Sequence, residues 1–231
     1  MKNTETTLTT APGDDKGPIS AWLTQLPFDW REATQGCRQR SVAAEETIFL
    51  AGQAASTAYV IEEGRVRLTA FSVDGKERHL MIVGPNGLVG DCGLLSSKTY
   101  VVSAVAASDA VLSTIQTDTL LHALDHNPKL LRQHHAMTST RLQVLLQHLA
   151  MQGPNSGQRR VCHHLLGLMR SYGKQVSGGI AISIHFTQQE MGNICGLSRV
   201  SVSHIFTELE RLGVITRSAR LVVVLAPQQL V

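Results

Sequence analysis

Residues 187–215 read TQQEMGNICGLSRVSVSHIFTELERLGVI, and the punctuation of this stretch decides the fold of the C-terminal third. Thr187-Gln188-Gln189-Glu190 spells a capping box. In that motif the Thr hydroxyl accepts a backbone N–H three residues on, and the Glu carboxylate reaches back to the Thr N–H. A first helix of two turns is predicted to run to Cys195. Gly196-Leu197-Ser198 then makes a turn, with Gly supplying a conformation that other residues avoid. Ser198 caps a second helix to about Leu212, with Val202, Ile205, Phe206, Leu209 and Leu212 as its buried face. Two helices joined by a three-residue turn containing Gly form a helix-turn-helix.

The N-terminal end of the second helix exposes Arg199, Val200, Ser201, Ser203 and His204, the positions that reach base edges when such a helix enters a major groove. Arg199 suits bidentate contact with a guanine. With Thr187, Gln188 and Ser198 at the helix starts, these residues form the candidate DNA-binding set. Downstream, Gly213 ends the helix, and Val214 to Thr216 and Leu221 to Leu225 read as a β-hairpin. Its tip, Arg217-Ser218-Ala219-Arg220, is basic, and Arg217 and Arg220 suit phosphate contact, which fixes register without reading sequence. Upstream, Ser156 to Tyr172 reads as an amphipathic helix with Val161, Leu165, Leu168 and Met169 on one face and Gly173 at its end. Ile180 to Ile184 reads as a short strand.

Charge separates this region from the rest. The formal net charge of the 231 residues is only +3. The clearest break is Gly153-Pro154-Asn155-Ser156-Gly157, five successive turn formers. Residues 1–153 hold 13 Lys/Arg and 15 Asp/Glu, whereas residues 154–231 hold 8 and 3. A basic small half beside a mildly acidic large one points to a polyanionic partner. No run of about 18 uncharged apolar residues suggests a membrane span. The opening residues are polar and rich in Thr, unlike a secretory signal. Cys37, Cys92, Cys162 and Cys195 lie far apart, which argues against a disulfide framework or metal set and for buried thiols in a reducing cytoplasm. The H-x-H pattern of a cupin-like metalloenzyme is also missing, so neither catalysis nor a metal is expected.

Between Ala44 and Ile115 the chain alternates short apolar runs with Gly turns. Thr47 to Leu50, Ala58 to Ile61, Val66 to Val73, Leu80 to Val83, Val101 to Val105 and Ala110 to Ile115 read as strands, with Asp74-Gly75 as a tight hairpin turn. Many short strands at this spacing predict a small antiparallel barrel or roll. Helical periodicity begins near Thr117 and is sustained from Asn127-Pro128 to Gln152, about 38 Å of helix. Leu131, His135, Thr138, Leu142, Leu145 and Leu149 fall at alternating spacings of four and three, an a/d seam suited to pairing with a second copy. Leu130, Met137 and Leu146 are left to pack on the β domain.

Over residues 30–226 the chain resembles the CRP/FNR family of bacterial transcription regulators. The motifs that carry this are GQAASTAYVIEEGRV from Gly52, Asp74-Gly75, GPNGLVGDCGLL at 84–95, and the stretch at 187–215. The resemblance implies an α+β chain: an N-terminal cyclic-nucleotide-binding-like antiparallel β-roll at 21–126 behind a flexible tail at 1–20, a long dimerisation helix at 127–153, and a C-terminal winged helix-turn-helix at 154–231. It further implies a cytoplasmic homodimer on near-palindromic double-stranded DNA that recruits or blocks RNA polymerase.

Departures from the family pattern concern the effector and the DNA site. Members that bind cyclic AMP carry a Glu for the ribose and an Arg for the phosphate. Asp91 stands at the first position, and Tyr100-Val101-Val102-Ser103 supplies no Arg, so the charge-assisted phosphate bond is lost. A Thr-Ser pair that touches adenine is replaced by Leu145-Leu146. The expected pocket, formed by Val89, Gly90, Asp91, Cys92, Val101, Val102, Leu142, Leu145 and Leu146, suits a small apolar or aromatic acid better than cyclic AMP. Iron–sulfur sensing needs clustered N-terminal cysteines, and only Cys37 lies there. Haem is a further possibility, with His79 or Cys92 as axial ligand; an effector-independent dimer is another. At the DNA, most members carry Glu where Val200 stands and commonly Arg where His204 stands. Val200 suits a thymine methyl, so the half-site is expected to differ at that base pair.

Overall fold

The computed structural model describes residues 18–71, 75, 77–95, 98–151, 156–218 and 221–230. Most of the tail expected at 1–20 therefore lies outside the described residues, as do Asp74, Gly153 and Arg220. The elements are β1 (Trp22–Leu23), α1 (Arg31–Thr34), β2 (Arg38–Val42), β3 (Thr47–Phe49), β4 (Thr57–Glu63), β5 (Val66–Phe71), β6 (Glu77–Val83), β7 (Leu88–Val89), α2 (Asp91–Leu95), β8 (Ser103–Ala106), β9 (Ala110–Gln116), α3 (Thr117–His126), α4 (Pro128–Met151), α5 (Gly157–Tyr172), β10 (Gly173–Val176), β11 (Gly179–Ile182), α6 (Gln188–Cys195), α7 (Arg199–Arg211), β12 (Ile215–Ser218) and β13 (Leu221–Val224). A 3₁₀ turn at Pro227–Leu230 follows.

The roll consists of two sheets, ordered β1-β6-β5-β8-β3 and β2-β9-β4-β7. All pairings are antiparallel except β1 on β6. Residues 57–61 of β4 are buried without alternation because both faces of the strand are covered. One face meets the roll interior through Tyr59 and Ile61. The other, through Ala58 and Val60, joins a second apolar cluster with Leu120, Leu124, Leu130 and Met137, which seats α3 and α4 on the roll. Gly64 joins β4 to β5 with φ +79°, and a Cβ there would sit 2.2 Å from the Asp109 carbonyl oxygen, so no other residue fits.

The winged domain builds a third sheet, β10-β11-β13-β12, against α5 and α7, on which α6 packs in turn. Its core is continuous with the roll interior, because the segment through β1 lies between the two. Trp22 packs edge-on to His164 of α5 at 6.2 Å and against Phe186 at 5.7 Å. The Tyr172 hydroxyl donates to the Trp22 carbonyl and accepts from the Thr24 N–H. Within the segment expected as tail, Ile19 N–H bonds Gln147 of α4 and Ser20 is buried.

Several sequence expectations need correction. The strands β1, β2, β7 and β10 carry too short or too polar a pattern to be read locally. Gly173 is not a left-handed helix cap: its φ is −74° and it opens β10. Gly is required there because a Cβ would meet the Met169 carbonyl oxygen at 2.2 Å. Leu146 and Leu212 are exposed, and Val144 takes the packing position expected of Leu146. Of the thiols, Cys162 and Cys195 are buried as expected, Cys37 is half-buried, and Cys92 is exposed.

Candidate nucleic-acid interface and sensor site

The two helices of the turn motif are capped by their own sequence. Thr187 Oγ1 accepts from Glu190 N at 3.0 Å while Glu190 accepts from Thr187 N at 2.7 Å, closing the capping box. Gly196 ends α6 in the left-handed region at φ +66°. Ser198 caps α7 through the Ser201 N–H at 3.0 Å. With Val202, Phe206 and Leu209 buried, the opposite face of α7 presents Arg199, Val200 and His204 to solvent, with Ser201 and Ser203 half-buried beside them. Val200 is 64% exposed, a large apolar side chain for an open helix end. Thr187 is exposed and Gln188 half-buried at the start of α6. The hydroxyls of Thr187 and Ser198 are thus engaged in capping and that of Ser201 in a bond with the Ser198 hydroxyl, and Arg199, Val200 and His204 are the side chains with free reach.

In the roll, the residues expected to line an effector pocket divide. Val89 and Asp91 are buried, Gly90 and Val102 partly so, and Cys92 and Val101 are exposed. Leu142, Leu145 and Leu146 lie exposed on α4 of the single chain and do not reach Asp91. The side chains of α4 that do are Arg141 and His134. Arg141 donates to both carboxylate oxygens of Asp91, at 2.9 and 3.0 Å, and also to the Leu88 carbonyl. His134 Nε2 stands 3.0 Å from Asp91 Oδ2. All three residues are buried. Burial pushes the Asp91 carboxyl up, but the Arg141 charge and the His134 hydrogen bond outweigh it and hold the group below the usual carboxylate range. The domain therefore does contain a buried cation, which the Arg-free stretch at 100–103 concealed. The signal was in the helix: Leu130, His134, Met137, Arg141 and Val144 repeat at spacings of four and three beside the leucine seam, a second stripe with two polar members.

The winged domain meets the roll along α6 and β6. Arg65 pairs with Glu190 at 3.1 Å and donates to the His185 carbonyl oxygen. Asn193 Nδ2 lies 3.2 Å from His79 Nε2, and Arg78 packs on Gly196. His79, a candidate haem ligand, is thus engaged at this boundary. At the α4–α5 junction three imidazoles cluster, with His164 5.0 Å from His148 and 5.5 Å from His163. His148 Nε2, His163 Nε2 and His164 Nδ1 have no hydrogen-bond partner among the described residues.

Burial holds all three rings below the ordinary imidazole range, His148 at about 4. The charges acting on them are those of one another and of Arg160, with no carboxylate among the described residues to stabilise a proton. Folded pKa values depressed below the unfolded value mean that the unfolded chain binds more protons below about pH 6.5. The thermal midpoint is accordingly expected to fall as pH drops from about 6.5 towards about 4. His164→Phe should reduce that dependence in a fluorescence melt series; an unchanged dependence would place the acid-labile groups elsewhere.

Two family models match the chain: a cyclic nucleotide-binding domain over residues 39–127 and a Crp-like helix-turn-helix domain over residues 159–231. Among curated relatives, the anaerobic regulatory protein of Bacillus subtilis is 27% identical, the match covering 77% of this chain and 75% of the relative. A CRP-like cAMP-activated global transcriptional regulator of Mycobacterium tuberculosis is 25% identical over 72% of this chain and 75% of its own. Among solved structures, a CRP-family transcriptional regulator from Thermus thermophilus superposes with a TM-score of 0.62 at 26% identity, covering 83% of this chain and 94% of that one.

Proposed function

The chain belongs to the CRP/FNR family of transcription regulators, and we propose from that premise that it acts as a homodimer on near-palindromic double-stranded DNA. The observation that carries this reading is the open N-terminal turn of α7, where Arg199, Val200 and His204 project from a helix whose other face is buried. Paired through α4, two such helices present two reading heads to successive major grooves. RNA polymerase is the partner through which such a dimer acts, and the cytoplasm is where both meet; the chain has no catalytic role.

Activity is gated by a small molecule other than cyclic AMP. The M. tuberculosis relative is described as cAMP-activated, but here Val101 and Val102 occupy the phosphate-facing positions implied by the resemblance. The buried Arg141 is already committed to Asp91 and the Leu88 carbonyl. An effector shifts DNA affinity only by binding the two states of the dimer differently. A second reading, an effector-independent dimer, is favoured by that same internal pairing of Asp91. Native mass spectrometry of the purified dimer separates the two. A co-purifying molecule whose removal changes DNA affinity supports gating, and an empty dimer with an affinity that no cytosolic small-molecule extract alters supports the second reading.

Selection from random DNA tests the DNA reading itself. Arg199→Ala should lower specific affinity by about 1–3 kcal/mol and relax one base pair of the selected half-site. Val200 in place of the family's Glu should leave the neighbouring pair selected for a thymine methyl. Recovery of the usual family half-site at full strength at that pair would overturn the assignment of Val200, and failure to enrich any sequence would overturn the function.

A further inference from the structure

The wing was expected to hold phosphate through Arg217, and the geometry points to a different task. In β12, Arg217 stands opposite Val222 of β13, where its guanidinium leaves the hairpin and reaches back to α7. Its Nη2 lies 2.5 Å from Glu210 Oε2. The same guanidinium covers the face of Phe206, 5.4 Å from the ring centroid. Phe206 and Glu210 are four residues apart and share one side of the helix. Phe206 itself is buried in the domain core. Side-chain exposure is 24% for Arg217 and 31% for Glu210, so the pair is neither free in solvent nor sealed from it.

We infer that Arg217 is a positioning residue, a clamp that fixes the wing to the C-terminal half of the recognition helix through Glu210 and Phe206. The inference rests on the DNA-binding function proposed above. A guanidinium already neutralised by its own carboxylate displaces no counterion from a phosphate unless that pair is broken, so it adds nothing to the salt dependence of binding. Its contribution is geometric. It sets where the hairpin lies relative to α7, and hence where the remaining wing groups meet the backbone when α7 is seated on bases. The arrangement needs both the planar stack on Phe206 and the bond to Glu210, which Arg supplies together and Lys does not. Phosphate, by contrast, accepts Lys as a point charge.

Three variants of the full chain decide the matter: Arg217→Ala, Arg217→Lys and Glu210→Gln, each read for affinity to the selected site and for its salt slope. The clamp predicts that Arg217→Ala weakens binding about fivefold with an unchanged salt slope. Arg217→Lys should reproduce most of that loss. Glu210→Gln should also weaken binding, and combining it with Arg217→Ala should add little. A phosphate contact predicts the reverse: Lys rescues, Arg217→Ala lowers the slope by about 1, and Glu210→Gln tightens binding by releasing the cation. Any of those three results overturns the clamp. The same variants in a double-mutant cycle on thermal stability, without DNA, should show coupling between positions 210 and 217, and its absence would also overturn it. Failure of the unsubstituted protein to bind any DNA would instead overturn the function, while the cycle still reports on the clamp.

Discussion

Arg141→Ala is expected to destabilise the folded chain by about 3–5 kcal/mol, because it leaves Asp91 buried without its guanidinium partner. Asp91 is 1% exposed, and its carboxylate receives both Arg141 contacts and the His134 hydrogen bond. Losing the guanidinium removes the charge that offsets desolvation and also orphans the Leu88 carbonyl. For a chain of this size the cost corresponds to a fall in melting temperature of roughly 10 °C. Replacing both members, Asp91→Leu with Arg141→Met, should recover much of the loss, since apolar groups of similar volume carry no desolvation penalty. The recovery stays incomplete because His134 then loses its partner. A melting temperature for Arg141→Ala within about 2 °C of the parent would show that water reaches Asp91 and that the triad does not hold α4 to the roll.

That triad also marks where local sequence reading stops. The helix-turn-helix was legible because its determinants are local: two capping residues, a capping-box Glu and a left-handed Gly all act within a few positions of one another. The roll was legible in outline because Gly and Asp-Gly punctuate its longer strands. Two-residue β1 was not, since its pairing with β6 is parallel and joins Trp22 to Ile82, far along the chain. Arg141 and His134 look like solvated helix residues until the roll is folded against them, because a polar side chain on a buried stripe has the same spacing as one on the surface. Arg217 illustrates a related limit. A basic hairpin tip suits phosphate by composition, whereas its carboxylate partner sits seven residues earlier on another element. Interactions that depend on tertiary placement, above all the choice of a charge's partner, are what the pattern of residue types leaves open.

The leucine seam is the opposite case, legible in sequence and left uncovered by the single chain. Leu131, His135, Thr138, Leu142, Leu145 and Leu149 are all exposed, while Leu130, His134, Met137, Arg141 and Val144 on the other face of α4 are buried against the roll. Leu142 is 55% and Leu149 64% exposed. From Leu131 to Leu149 the seam runs about 27 Å, long enough for nearly three heptads of knobs-into-holes contact with a second copy. If α4 pairs as proposed, Leu142→Asp with Leu149→Asp should yield monomers, because pairing would desolvate two carboxylates on each helix without partners. Since neither leucine supports the core of its own chain, far-ultraviolet circular dichroism should be unchanged, which separates dissociation from unfolding. Binding to a palindromic site should fall by orders of magnitude, as each winged domain is left with one half-site and loses the high effective concentration of its twin. Sedimentation velocity reads the outcome directly. A dimer that persists with both substitutions would place self-association on a surface other than α4.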